Sequence, residues 1–100
     1  MNHFTNRRGW QGIRATSPWC FRARRQRGNN PTGAYFTTLD PSSPKFFKRT
    51  RVPRHKRTHM FCFVDIGDLV PKRGPLGRWV FYSPSDYFVA KHRQLYEGPV

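Results

Sequence analysis

No acidic residue precedes Asp40, whereas seven arginines do: Arg7, Arg8, Arg14, Arg22, Arg24, Arg25 and Arg27. The imbalance runs through the whole chain, where 19 Lys+Arg face 5 Asp+Glu and the formal charge is +14 in 100 residues. Self-repulsion at such a charge opposes a compact state, so the excess points to a polyanionic partner. Only 36% of the residues are hydrophobic, and nine prolines and eight glycines interrupt them, which limits the chain to one small core. The expectation is a compact centre with arms that gain order on the partner.

Nucleic acid fits better than a membrane. No stretch approaches the ~20 apolar residues of a membrane span. The cations are also interleaved with rings (Trp10, Trp19, Phe21, Tyr35, Phe46, Phe47, Trp79). Arg beside flat rings suits phosphates and unstacked bases. Two cysteines, Cys20 and Cys62, are too few for a disulfide framework and read as two reduced, packed thiols.

Along the chain, residues 1–33 read as a basic extended N-terminal arm, with a short first strand near 11–16 as an option. The same Arg-rich, acid-free composition suits an organelle-targeting segment. Arg27-Gly28-Asn29-Asn30-Pro31-Thr32-Gly33 is turn chemistry. Residues 34–82 read as the β domain. Ala34–Leu39, Met60–Val64 and Trp79–Tyr82 are strands by their aromatic and β-branched content. Residues 45–57 hold seven cations, no acid and Pro53, which predicts a loop or strand edge. Ile66-Gly67-Asp68-Leu69-Val70 is a sharp turn entering a strand, and residues 71–78 are a basic loop stiffened by Pro71 and Pro75. Residues 83–100 read as a C-terminal helical extension. Ser83 would cap the helix, Pro84 would take its first position, and Asp86 would lie in its first turn.

Three of these segments, in this order, resemble a known family. Lys45-Phe46-Phe47-Lys48-Arg49-Thr50, then Ile66-Gly67-Asp68-Leu69-Val70, then Arg73-Gly74-Pro75-Leu76 with Arg78-Trp79-Val80, are similar to the universal small-subunit ribosomal protein S17 family. The likeness covers roughly residues 39–82 and is closest to mitochondrial members. The segment Arg54-His55-Lys56-Arg57-Thr58-His59 is more basic and longer than its counterpart, and the lysines expected after Gly12 are missing. The resemblance implies a mainly β fold with a small OB-like five-stranded barrel. It implies a structural constituent of the small ribosomal subunit that binds the 5′ domain of small-subunit rRNA in the mitochondrial matrix, beside neighbouring ribosomal proteins.

On that basis the RNA-binding residues are Lys45, Phe46, Lys48, Arg49, Arg51, Arg54, Lys56 and Arg57 in the first basic segment, and Lys72, Arg73 and Arg78 in the second. Arg forks onto two phosphate oxygens, while Lys acts as a point charge. Phe46 or Phe47 could stack on an unpaired base, and either could instead pack in the barrel. Asp65 and Asp68 flank a Gly turn and read as turn-forming residues rather than a catalytic pair. His55, His59 and Cys62, with Cys20, have ligand-like spacing for zinc, yet they sit in a basic strand-and-loop context that favours no metal. No nucleophile has an orienting partner, and no Gly-rich phosphate loop carries a Lys. The expectation is therefore a binder and not an enzyme, with no cofactor, no membrane and no small-molecule substrate. The alternatives are a viral RNA-packaging protein and a basic accessory subunit of an organelle membrane complex.

Overall fold

Phe61 and Phe63 lie two residues apart in an apolar run, and both are fully buried. Alternation along a strand puts them on one face, and that face is the main core. The structure is a computed structural model that describes every residue except Gln26, Arg27 and Asn29. Eight strands form: β1 Asn2–Thr5, β2 Trp19–Phe21, β3 Ala34–Thr37, β4 His59–Phe63, β5 Val70–Pro71, β6 Val80–Ser83, β7 Tyr87–Val89 and β8 Gln94–Pro99. Two α-helices, α1 Arg7–Arg14 and α2 Phe46–Thr50, and three 3-10 turns (Arg54–Lys56, Pro75–Arg78, Lys91–Arg93) complete the described chain.

Six strands make one antiparallel sheet in the order β5-β6-β3-β1-β4-β8, and β2 and β7 make a separate ribbon. The ribbon lies over one face of the sheet. Phe21 from the ribbon meets Phe36 and Phe61 at ring-centroid distances of 5.2 and 5.5 Å, and Trp19 meets Phe61 at 4.9 Å. These near-perpendicular contacts are the favoured geometry for ring pairs. On the opposite face, Phe46 of α2 packs edge-on against Phe4 at 4.9 Å. Gly67 takes φ +76, which a side chain would resist, and the Asp65 carboxylate accepts its N–H at 2.9 Å. That turn leads into β5, as the sequence implies. A radius of gyration of 12.5 Å matches the ~13 Å of a folded 100-residue domain.

Two expectations from the sequence are corrected. The first concerns residues 1–33, which do not form an arm. β1 occupies an interior place in the sheet, pairing with β4 from Asn2↔Cys62 to Thr5↔His59, and the Met1 ammonium donates to Phe63 O at 2.9 Å. Residues 11–16 are not the first strand, because 11–14 belong to helix α1 and 15–16 turn out of it, and Asn6 caps that helix by accepting the Gly9 N–H at 2.8 Å. The turn expected at 27–33 falls partly outside the described residues.

The C-terminal helix is the second correction. Tyr87–Val89 pair with Trp19–Phe21, and Gln94–Pro99 pair with β4. Asp86 accepts the Ala23 N–H at 2.8 Å instead of lying in the first turn of a helix. Local capping signals lose to strand pairing that buries Tyr87 and Val89.

The expected five-stranded barrel is borne out only in its mainly β character: among the described residues the strand order runs open from β5 to β8, a six-stranded antiparallel sheet plus a ribbon, and no closed barrel is found. No helix among the described residues is long and apolar enough to cross a membrane.

Phe61→Ala removes a fully buried ring from the centre of this core. It should cost about 3–5 kcal/mol in denaturant unfolding, whereas Leu95→Ala, 64% exposed on β8, should stay within about 0.5 kcal/mol of wild type.

Candidate ligand cleft at the split of the sheet

The sheet divides between β1 and β3. The two strands share one registered pair, Asn2↔Thr37, and then part. From His3 onward β1 pairs with β4, while Ala34–Phe36 of β3 pair with β6. The His3 side chain spans the gap, its Nδ1 lying 2.9 Å from the Tyr35 carbonyl. A carbonyl can only accept, so Nδ1 carries the proton and Nε2 keeps its lone pair. The ring leans on the core, 4.9 Å from Phe21 and 5.6 Å from Phe36. Burial lowers the His3 pKa from 6.5 to about 4, the Tyr35 carbonyl opposes that shift, and Arg24 adds to it. The imidazole is therefore neutral at physiological pH.

A cleft of about 230 Å³ opens at the split. β1 supplies Asn2, His3 and Phe4 to its walls, and β3 and β6 supply Tyr35, Phe36, Thr37 and Val80. The segment Thr50–Pro53 with Lys56 closes one side, and Lys72 approaches from the other. Three lining residues are cationic (Arg51, Lys56, Lys72) and none is a carboxylate. Asn2 is only 8% exposed; its Nδ2 donates to Leu39 O at 3.0 Å, but its Oδ1 has no partner. Among the described residues it is the sole buried side-chain polar atom left unsatisfied. An orphan acceptor of this kind costs about 1–3 kcal/mol. Tyr35 stacks on its cross-strand partner Tyr82 at 5.6 Å and is anchored through its hydroxyl, which donates to Pro31 O. Burial first, and then the neighbouring Tyr82, raise the Tyr35 pKa, so the phenol stays protonated.

The first basic segment is helical where the sequence implies a loop. Phe46 anchors α2 beneath Phe4, and Thr50 Oγ1 donates back to Phe46 O at 2.8 Å. Lys45 and Arg51, at either end of α2, both take left-handed φ values, 56 and 62. A non-glycine residue pays about 1–2 kcal/mol for that conformation, so the surrounding contacts must hold it. Lys45, Lys48, Arg49 and Arg51 line a second groove beside Trp79, whose ring lies 4.9 Å from the Arg49 guanidinium carbon. Lys56 and Lys72 instead line the first cleft, and Arg51 lines both.

Phe46 is a correction among the expected RNA-contacting residues. It is 4% exposed, with the Arg57 guanidinium 5.0 Å from its ring, so it cannot reach a base. Phe47 is the free ring, at 48% exposure. Arg54, Arg73 and Arg78 are exposed and line neither cavity. Asp65 forms the expected turn, but Asp68 accepts the Tyr87 hydroxyl at 2.6 Å. No three metal-ligating side chains come together among the described residues, and His59 stacks on Trp10 at 4.8 Å.

Sequence reasoning missed Asn2, His3, Tyr35 and Thr37 as lining residues. Their chemistry is ordinary, and only the parting of β1 from β3 gives it a role. Asn-His-Phe-Thr has a single apolar residue, so no alternation in the sequence marks it as a strand.

His3 also sets a pH dependence. Its pKa is depressed in the folded state, so the unfolded chain binds the extra proton between pH 6.5 and about 4. The stabilisation is fully present above pH 6.5 and drains away as pH falls toward 4, by up to about 3 kcal/mol. Thermal melts should show a falling Tm across that window, and the fall should flatten in His3→Gln.

Comparison of the chain and its fold with known proteins finds no family model, no curated protein and no solved structure that matches.

Proposed function

We propose that the protein binds a nucleotide in the cleft where β1 and β3 part. The observation that carries this reading is that Asn2, whose Oδ1 is buried and unpartnered, lines a cleft with three cations and no carboxylate. Three demands follow. The orphan acceptor calls for a hydroxyl or amino donor on the ligand. Arg51, Lys56 and Lys72 call for an anion, and phosphate suits both the Arg fork and the Lys point charge. The apolar walls, Phe4, Val52 and Val80 among them, call for a flat hydrophobic body. A phosphorylated ribonucleoside meets all three at once. The cleft, about 230 Å³, is smaller than the ~300 Å³ at which ligand pockets ordinarily begin, so it would seat the base or the sugar and leave the phosphates at the rim with Arg51, Lys56 and Lys72.

This reading departs from the expectation of no small-molecule substrate. Binding to small-subunit rRNA is the second reading, and the exposed cations Lys48, Arg54, Arg73 and Arg78 favour it. Its weakness is the fold, since the resemblance to the ribosomal family implied a closed barrel and the sheet is open.

Thermal shift and equilibrium dialysis test the nucleotide reading. The panel is AMP, ADP, ATP, GTP and NAD, with pyrophosphate and unphosphorylated adenosine as partial ligands. At a hundredfold excess over Kd, a true ligand adds about 2.7 kcal/mol to stability, several degrees in Tm for a domain of this size. At least one nucleotide should outperform both partial ligands. Asn2→Ala and Lys72→Ala should each weaken it about tenfold. If pyrophosphate matches every nucleotide, the cleft is only a patch of positive charge and the reading fails. Chromatography of the recovered ligand in the same assay registers any cleavage.

A further inference from the structure

The second groove lies between α2 and the Pro75–Arg78 turn and encloses about 330 Å³. Four of its lining residues are cations (Lys45, Lys48, Arg49, Arg51), and again no carboxylate lines it. Its floor is the Trp79 ring, with Arg49 stacked on it at 4.9 Å. Phe47, on α2 beside these cations, is 48% exposed, and the Arg51 guanidinium carbon is 5.9 Å from its ring. Two of the four cations, Lys45 and Arg51, take the left-handed conformation at the two ends of α2.

We infer that this groove seats a single-stranded nucleic acid, whose backbone phosphates meet Lys48 and Arg49 while an unpaired base stacks on Phe47. Charge complementarity requires a polyanion. An acidic protein would satisfy the cations but has no use for an open ring alternating with guanidinium groups, whereas base stacking uses it directly. Arg51 lines both cavities, so the strand would pass the mouth of the nucleotide cleft. The inference rests on the nucleotide reading only for that last point, which makes the strand the macromolecular partner of the same site.

The experiment measures fluorescence anisotropy of a labelled 12-nucleotide single-stranded RNA with the full chain, beside dialysis of ADP. The double variant K48A/R49A should bind the RNA at least tenfold more weakly. Its log–log salt slope should fall by about 1.4, the value for two lost phosphate contacts on a single strand. Phe47→Ala should weaken RNA binding fivefold or more. ADP binding should stay within twofold in both, because neither change touches the cleft lining. Arg51→Ala should weaken both ligands. Circular dichroism and melting of each variant establish that it folds, and Phe47 and Lys48 are exposed enough to change without loss of core. RNA affinity within twofold of wild type in K48A/R49A overturns the inference. So does polyglutamate of equal charge competing as well as RNA, which would point to an acidic protein. Failure of ADP to bind at all, with the RNA results as expected, removes the cleft reading and leaves the groove standing.

Discussion

Where β1 and β3 part, the hydrogen bond between His3 Nδ1 and the Tyr35 carbonyl takes over from backbone pairing. It holds together two half-sheets, one built on β4 and β8 and the other on β6 and β5. The bond needs a neutral imidazole with its proton on Nδ1, and burial against Phe21, Phe36 and Phe61 keeps the ring neutral. The same contacts tie the ribbon to the sheet. The cleft exists because a side chain, and not a strand, bridges this gap. A residue without a donor there would leave the Tyr35 carbonyl unpaired.

A chain with a charge of +14 must also fold around its cations, and it does so with rings and carbonyls more than with carboxylates. Among the described residues the ion pair Arg14–Glu97, at 3.7 Å and half exposed, contributes little. The guanidinium groups of Arg14, Arg49, Arg51 and Arg57 lie 4.6–5.9 Å from the rings of Trp10, Trp79, Phe47 and Phe46. Arg93 is 8% exposed and donates to Val64 O at 3.1 Å and to the Tyr87 hydroxyl at 2.7 Å. Tyr87 in turn donates to Asp68 at 2.6 Å, so a phenol carries the charge compensation between a buried cation and an exposed carboxylate. Rings that satisfy cations inside the protein also leave one face of the cation free for a ligand. An interior salt bridge would not.

The strands at Ala34–Thr37, His59–Phe63 and Val80–Ser83 were legible in the sequence, because their apolar and β-branched residues form short runs bounded by turn residues. The N-terminal strand was not. Asn2, His3 and Thr5 are polar, and an Arg-rich stretch follows, so the alternation carried no hydrophobic signal. Ser83-Pro84 and Asp86 form a genuine helix-start pattern, but it is a weak local preference. Pairing of Tyr87–Val89 with Trp19–Phe21, some 68 residues earlier (Trp19↔Val89 is 70 apart, Phe21↔Tyr87 66), overrode it. Helix α2 was hidden because the charge of 45–57 and the proline at 53 dominate the local pattern, while the burial of Phe46 against Phe4 depends on a strand at the other end of the chain. The cationic residues of the site were therefore visible from composition. The polar floor was not, since Asn2 acquires meaning only where two strands separate.

The net charge first suggests a partner that is large and uniformly anionic, but the structure divides the cations by environment. Lys56 and Lys72 line a cleft together with Asn2, whose Oδ1 is buried and unpartnered, and a polymer backbone lying on the surface would not reach that atom. Lys45, Lys48 and Arg49 stand at a separate open groove lined by the Trp79 ring, outside the cleft's own lining. A smooth basic surface built for a structured RNA would require neither arrangement. Two differently shaped anionic ligands meeting at Arg51 account for both, and for why a strained Arg is held between them.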